Sequence, residues 1–411
     1  MQNEPSGAPD APRAAPERTP LSLSVVLTAC VAFGPISTDL YLPSLPALTK
    51  HFGADAASGQ LTLSVFLAGF ASGMLVYGPL ADRFGRRPVL IGGIAVYILA
   101  SIACALAPSM ELLIAARFFQ AIGACSGPVC ARAMVRDLFA RERAAQVFAY
   151  MATAMGLAPA IGPVIGAQLE VLLGWRANFW VLVAFGVCIL AATLAVLPET
   201  NRHKNPQATR LVPLVTTYAG LLRHRDFVTF TAIMSLCYAV IFSWISGSSF
   251  VLIDLAQVSP QVYGLAFALM VVGYMSGTFT ASRITRRFGI EGMIRIGTAV
   301  ATLAGAAMLA INILAPPSFV GLAVPVAVAT FGVGFVMPNA QAAAIAPFPR
   351  AAGAASAMLG FMQMAFGAAV GIAIGHGLGD SALPMVAAIQ AASACAFLIA
   401  LSLRRPASGA G

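Results

Sequence analysis

The chain has 411 residues, of which 59% are hydrophobic and only 9% charged. Soluble domains carry about 25% charged residues, so lipid must solvate most of this surface, and a chain of two or three soluble domains is excluded. The formal charge of +9 sits in short Arg/Lys clusters between apolar runs, with no basic-aromatic face; it reads as membrane topology and excludes a nucleic-acid partner.

Residues 1–20 hold five prolines and mixed charge, the composition of a disordered cytoplasmic tail. The apolar run that follows has no small-residue cleavage signal at its end, which predicts a retained first helix and not a signal peptide. A membrane helix needs about 20 apolar residues. On that measure the expected spans are 21–43, 59–81, 88–107, 112–135, 144–170, 177–197, 227–252, 261–283, 292–313, 319–346, 351–376 and 382–403. The expected fold class is an all-α membrane protein of twelve transmembrane helices. It comprises two six-helix bundles, 21–197 and 227–405, joined by a polar, basic cytoplasmic linker at 198–226.

The positive-inside rule tests this partition. With the N-terminus in the cytoplasm, the inside segments collect Arg13, Arg18, Arg83, Arg86, Arg87, Arg132, Arg136, Arg141 and Arg143. The linker and second half add Arg202, Lys204, Arg210, Arg223, Arg225, Arg283, Arg286, Arg287, Arg295, Arg350, Arg404 and Arg405. Lys50 and Arg176 fall outside, and Arg117 falls within a helix. Twelve spans with both ends inside fit this bias. The halves also align with each other: GMLVYGPLADRFGRR at 73–87 with GTFTASRITRRFGIE at 277–291, and RAAQVFAYMATAM at 143–155 with RAAGAASAMLGFM at 350–362. Similar offsets near half the chain length imply parallel six-helix repeats, an arrangement that places a substrate site at the repeat interface.

The seven cysteines lie in apolar stretches without metal spacing and read as small core residues. The four histidines are dispersed, so no metal, cofactor or catalytic cluster is expected. Four stretches stand out. The loop GPLADRFGRRPVL at 78–90 contains Gly78 and Gly85, which would permit a tight turn and close backbone approach. Its Asp82 could sit near a positive helix end around 350–355, and one of its arginines could pair with Asp137. In ISTDLYLPSLPAL at 36–48, Asp39 is an acid at roughly 21–27 Å along the first helix, in the outer half of a core of about 30 Å. Spacing alone leaves two readings: a proton-exchanging acid in a membrane interior, or a solvated turn acid before Pro43. RFFQAIGA at 117–124 begins with Arg117, about two turns from the outer end of its helix. It could face a cavity or snorkel to the headgroups. In GLAPAIGPVIGA at 156–167, Pro159 and Pro163 remove helix hydrogen bonds, and Gly162 and Gly166 form a close-packing face.

These four motifs together resemble the major facilitator superfamily. More narrowly they resemble its bicyclomycin/chloramphenicol (Bcr/CflA) type of drug:proton antiporter, over nearly the whole chain. The loop matches that family's pattern at Gly78, Leu80, Asp82, Arg83, Gly85, Arg86 and Arg87. Two motifs depart from the pattern, at Ala121 and Ala167, where glycine is usual. The resemblance implies a cytoplasmic gate formed by the loop and Asp137. It implies proton coupling through Asp39 and Arg117, and an antiporter helix carrying Gly156, Pro159, Gly162, Pro163 and Gly166. The expected activity is proton-coupled efflux of hydrophobic or amphipathic small molecules, including antibiotics, across the bacterial inner membrane. The partners would be drug-like substrates, protons and lipid, with the proton as coupling ion, no cofactor, and a functional monomer. Tyr41, Phe119, Tyr150, Met151, Trp244 and Phe361 could line the cavity, while Trp175 and Trp180 read as interface anchors. Rival readings are a transporter of one specific metabolite and, in other classes, a membrane-embedded enzyme or receptor.

Overall fold

The computed structural model describes residues 21–202, 204–377 and 381–403. The tail expected over 1–20 lies outside the described residues, as do 404 and 405 at the end of the second bundle. The described residues are helical, with no strand among them. Only a helix can bury its backbone polar groups in lipid without a partner strand, so runs of this hydropathy become helices. In chain order these are α1 Leu21–Cys30, α2 Phe33–Asp39, α3 Leu45–Phe52, α4 Ala56–Phe84, α5 Arg86–Ala105, α6 Met110–Leu138 and α7 Arg141–Leu173. They continue with α8 Arg176–Val196, α9 Leu211–Arg223, α10 Arg225–Ser249, α11 Pro260–Leu314, α12 Phe319–Ile345, α13 Ala352–Gly377 and α14 Leu383–Leu401.

Among the described residues, ten helices are long and apolar enough to cross a membrane, and the bent pair formed by α1 with the stretch Phe33–Phe52 makes up to eleven. Four span starts carry side-chain caps: Asp55 accepts from Ser58 N, Ser109 from Leu112 N, Ser259 from Val262 N and Ser318 from Gly321 N. Each satisfies an orphan amide at a helix start. Residues 261–283 and 292–313, expected as separate spans, lie in the single 55-residue run of α11. That run is interrupted at Gly289, with φ +71° and ψ 169°. Gly85, between α4 and α5, has φ +108° and ψ 152°. The two glycines are related by the 204-residue offset of the sequence repeat, and each follows an Arg-Phe pair with the guanidinium over the ring, at 5.0 Å for Arg83 and 5.6 Å for Arg287. The same turn therefore recurs in both halves.

The first helix departs from expectation. Its chain breaks at Val31–Ala32, bends by 44°, and continues to Phe52 instead of stopping near 43. Three prolines explain this: Pro35, Pro43 and Pro46 remove amide donors and crowd the carbonyls one turn back. A 3₁₀ turn at Leu42–Ser44 carries the chain past Pro43, and Gly53, in the left-handed conformation at φ +63°, ends α3. The linker contains the helix α9. Trp175, just before α8, packs among His51, Phe52 and Phe179, and Trp180 is exposed. Cys188 and Cys395 are exposed rather than core residues, which costs little on faces solvated by lipid.

Across the middle of the chain α4 packs on α13 and α7 on α11. At the end away from the 78–90 loop, Lys50 pairs with Asp254 at 2.9 Å and Ser246 Oγ meets Gln60 Oε1, so the two halves touch there. On α7, a Cβ at Gly162 would meet the Asp39 Cβ at 3.2 Å, and one at Gly166 would sit 1.6 Å from the Leu40 carbonyl oxygen. Absence of a side chain at Gly166 is what allows α7 to lie against the broken first helix. Gly78 is different: it lies inside α4 with open space around it, so the expected tight turn belongs to Gly85 alone.

Gly166→Ala therefore forces two backbones apart and should cost at least about 1–3 kcal/mol. Gly78→Ala should be neutral or stabilise α4 by about 0.5–1 kcal/mol. Thermal melting of the purified variants in one detergent checks both signs.

Candidate functional site

A second interruption of the first helix, at Leu40–Ser44 between α2 and α3, builds the site. Asp39 ends α2 and is only 2% exposed, and its Oδ1 has no hydrogen-bond partner. Arg117, on α6, is wholly buried. Its Nη1 donates to the Ser37 carbonyl at 3.0 Å and to Gln120 Oε1 at 2.5 Å. Its guanidinium lies over the rings of Tyr41 and Phe66, 4.3 Å from each centroid. Two aromatic faces and a carbonyl freed by the helix break thus take the place of a carboxylate as its counter-groups. Among the described residues the ion pairs are Lys50–Asp254, Arg86–Asp82 and Arg86–Asp137; neither Asp39 nor Arg117 takes part. The acid and the cation are coupled instead through the five residues 37–41, which Arg117 grips from one side while Gly162 and Gly166 press on Asp39 and Leu40.

A polar network fixes Arg117. Gln120 Nε2 donates to Ser101 Oγ at 2.7 Å, and the Ser101 hydroxyl donates to the Tyr97 carbonyl at 2.7 Å. Ser37 Oγ and Tyr97 Oη are 2.8 Å apart, and Tyr41 Oη and Thr62 Oγ1 2.9 Å apart. Tyr238 and Tyr263, from the second half, lie within electrostatic reach of Asp39. Sequence reading missed Ser37, Tyr97, Ser101, Tyr238 and Tyr263. For Gln120 a signal was present, three residues after Arg117 on the same helix face.

The 78–90 loop forms a second cluster. Arg86 pairs with Asp137, which also accepts from Thr200 Oγ1 at 2.8 Å. The Asp82 carboxylate lies 3.4 Å from Arg86. Arg87 Nη2 donates to the Leu194 carbonyl at 3.0 Å and Arg83 Nη1 to Thr209 Oγ1 at 2.5 Å. The organising residue is Glu199, unremarked in the sequence. Its carboxylate accepts the amides of Arg86 and Arg87, at 3.0 and 3.2 Å, capping the start of α5, and that of Asn201 at 2.8 Å. Asn201 Nδ2 in turn donates to the Ala81 and Asp82 carbonyls at the end of α4. Burial disfavours ionisation of Glu199, but these amide donors outweigh it and hold the carboxyl below its usual range. A Cβ at Gly85 would lie 2.5 Å from this carboxylate. The contacts of the cluster run among α4, α5, α6 and residues 194–209.

Helix α7 brings Gly162 and Gly166 against Asp39 and Leu40, while Pro163 is buried, Pro159 is half-buried, and a Cβ at Gly156 would meet Met275 of α11 at 3.8 Å. Of the cavity candidates, Tyr41, Met151 and Trp244 are buried and Phe361 is half-buried. Phe119 is 56% exposed and Tyr150 49% exposed; neither joins the Asp39 cluster.

The family model described as Major Facilitator Superfamily matches residues 27–408. The chain belongs to the major facilitator superfamily. It is a multi-pass transporter of the bacterial inner membrane, and not an enzyme. An uncharacterized transporter of this superfamily from Bacillus subtilis, YdgK, is 30% identical over 86% of the chain and 89% of its own length. A bicyclomycin resistance protein homolog of Haemophilus influenzae is 29% identical over 86% and 88%. The multidrug resistance protein MdtL of Escherichia coli (strain SMS-3-5 / SECEC) is 31% identical over 82% and 84%. Among solved structures, a partially occluded, inward-open form of the Escherichia coli xylose transporter XylE covers 95% of this chain and 99% of its own. It superposes with a TM-score of 0.68 at 16% identity. A peptide transporter in complex with sulfate covers 93% of each chain with a TM-score of 0.75 at 13% identity. Both show the fold.

Because the Glu199 carboxyl is held below its ordinary value of 4.5, its stabilising contribution is full above that value and is lost as pH falls through the lowered one. Glu199→Gln should lower stability near neutral pH by about 1 kcal/mol, the worth of a helix cap. The difference from the native protein should vanish in acid, as followed by melting temperature against pH.

Proposed function

We propose that the chain is a proton-coupled efflux transporter of hydrophobic or amphipathic small molecules, including antibiotics, working by alternating access. The named relatives associated with bicyclomycin and multidrug resistance support the substrate class. The observation that carries the reading is the buried, unpaired Asp39 carboxyl at the break in the first helix. Counting the bent first helix as one span and the two arms of α11 as two gives twelve spans, with both ends cytoplasmic. The end bearing the 78–90 loop is then the inside, and the Lys50–Asp254 end the outside.

In this cycle a proton from outside neutralises Asp39, favouring drug release outward or return to the inward-open state. Loss of that proton inward permits the next drug to bind. Arg117 supplies the fixed positive charge that is sensed when Asp39 ionises. The loop, with Arg86 and Asp137, braces the inner ends of the first-half helices, and its rearrangement accompanies opening. In this reading drug-like molecules would be held by apolar contact with rings such as Tyr238 and Tyr263 and by a few hydroxyls. A membrane potential gives about 2.3 kcal/mol per charge per 100 mV, enough for roughly fortyfold concentration at 1.4 kcal/mol per decade. The protein acts as a monomer.

Drug accumulation in everted vesicles with an imposed pH gradient tests this. Native protein should accumulate drug only with the gradient, and Asp39→Asn should abolish the gradient-driven part. Gradient-independent movement in both would overturn antiport. Unchanged coupled transport in the variant would remove Asp39 as the carrier.

A further inference from the structure

Beyond Asp39, one acid lies on the same face of α7 that touches the helix break. Gly162, Gly166 and Glu170 are spaced by four residues and so share a face. A Cβ at Gly162 would meet Asp39 and one at Gly166 would meet Leu40, so the same face of α7 carries Glu170 toward the level of Ser44. The two stretches run side by side in parallel, Glu170 lying two turns, about 12 Å, farther out than the Asp39 level. Glu170 is half-buried, and its Oε2 is shielded from solvent without a partner. Ser44 and Asn178 are fully buried. Asn178 Nδ2 donates to Ser44 Oγ at 2.8 Å, while Asn178 Oδ1 is a second shielded acceptor without a donor. A buried site with two spare acceptors is short of a proton donor, and a protonated carboxyl is one.

The charged groups on the packed elements leave this site alone. On α3, Lys50 is engaged with Asp254. His51 lies 3.4 Å from the Arg176 guanidinium, and Arg176, at the start of α8, also covers the Trp175 ring at 4.2 Å. Among the described residues Glu170 takes part in none of the ion pairs. An acid with no salt bridge to hold its charge is free to take and release a proton.

We propose that Glu170, with Ser44 and Asn178, is the outer proton-collecting site that loads Asp39, an inference that rests on the proton-coupled reading above. From the outside, water delivers a proton to the Glu170 carboxylate. The O–H bond on the water-borne donor breaks as one forms on Glu170. The second transfer, by way of the Ser44 hydroxyl and water, breaks that bond as one forms on the Asp39 carboxylate. No electrons change hands. Glu170 is a positioning and relay residue; Asp39 remains the carrier.

The test measures the rate of gradient-driven drug uptake into everted vesicles against luminal pH, the lumen being the former outside. In Glu170→Gln the luminal-pH midpoint should move to more acidic values by about one unit, the size of an ordinary environmental displacement, with the rate approaching native in strong acid. Glu170→Asp should keep the native midpoint, and Ser44→Ala should shift it the same way by less. A purely structural role would lower the rate equally at every luminal pH. That result, or a native midpoint in Glu170→Gln, overturns the proposal. If Glu170→Gln fails to assemble, a native midpoint in Ser44→Ala overturns it. Native protein that ignores the gradient would sink antiport and this relay together. Coupled native transport that Asp39→Asn abolishes, with no midpoint shift in the Glu170 variant, would sink the relay alone.

Discussion

A carboxyl group enclosed in the interior of a membrane protein, with no cation beside it, is the constraint around which the rest of this structure is arranged. An acid at the centre of a membrane helix costs roughly 2.5–3.5 kcal/mol on insertion scales. It is tolerated where packing or function holds it. At Asp39 the holding is done by backbone. Prolines break the first helix and expose a carbonyl, Arg117 takes that carbonyl, and Gly162 and Gly166 bring α7 against the same residues. The cation thus grips the chain two residues before the acid and the ring two residues after it. In the proposed cycle, a change in the charge of Asp39 is felt by Arg117 through this short segment and passed to α6 and α7.

The opposite cluster follows a different logic. Arg86, Arg87, Asp137, Glu199 and Asn201 tie the ends of α4, α5, α6 and α8 together with charge-assisted bonds to amides and carbonyls, which keeps those ends from fraying. Helix pairs turn at Gly85 and Gly289 with the same sign of φ, and Lys50 meets Asp254 at positions related by the same offset. The repeat is therefore carried by backbone turns and by contacts across the pseudo-symmetry axis as much as by side-chain identity.

The spans were legible because hydropathy alone dictates helices in lipid, and the Gly289 break was legible because the repeat aligned it with Gly85. Asp39 and Arg117 stood out as charges inside apolar runs, and the Arg86–Asp137 pair followed from the motif. What stayed hidden has physical reasons. The extension to Phe52 depends on a 3₁₀ turn that rescues the helix after Pro43, which periodicity does not encode. Glu199 reads as an ordinary acid after a span, because its role depends on the start of α5 folding back over it. Tyr97, Tyr238 and Tyr263 look like any buried aromatic until the tertiary fold brings them near the break. Glu170 was masked by its place close to a helix end, where acids are common, and only its alignment with Ser44 separates it from them.

The central claim is that drug and proton compete through Asp39. It is tested most directly by adding a drug to the purified protein in weakly buffered detergent and following the pH of the solution. Binding should release protons from the native protein and none from Asp39→Asn. Drug binding without proton release, or equal release from the variant, would contradict the account.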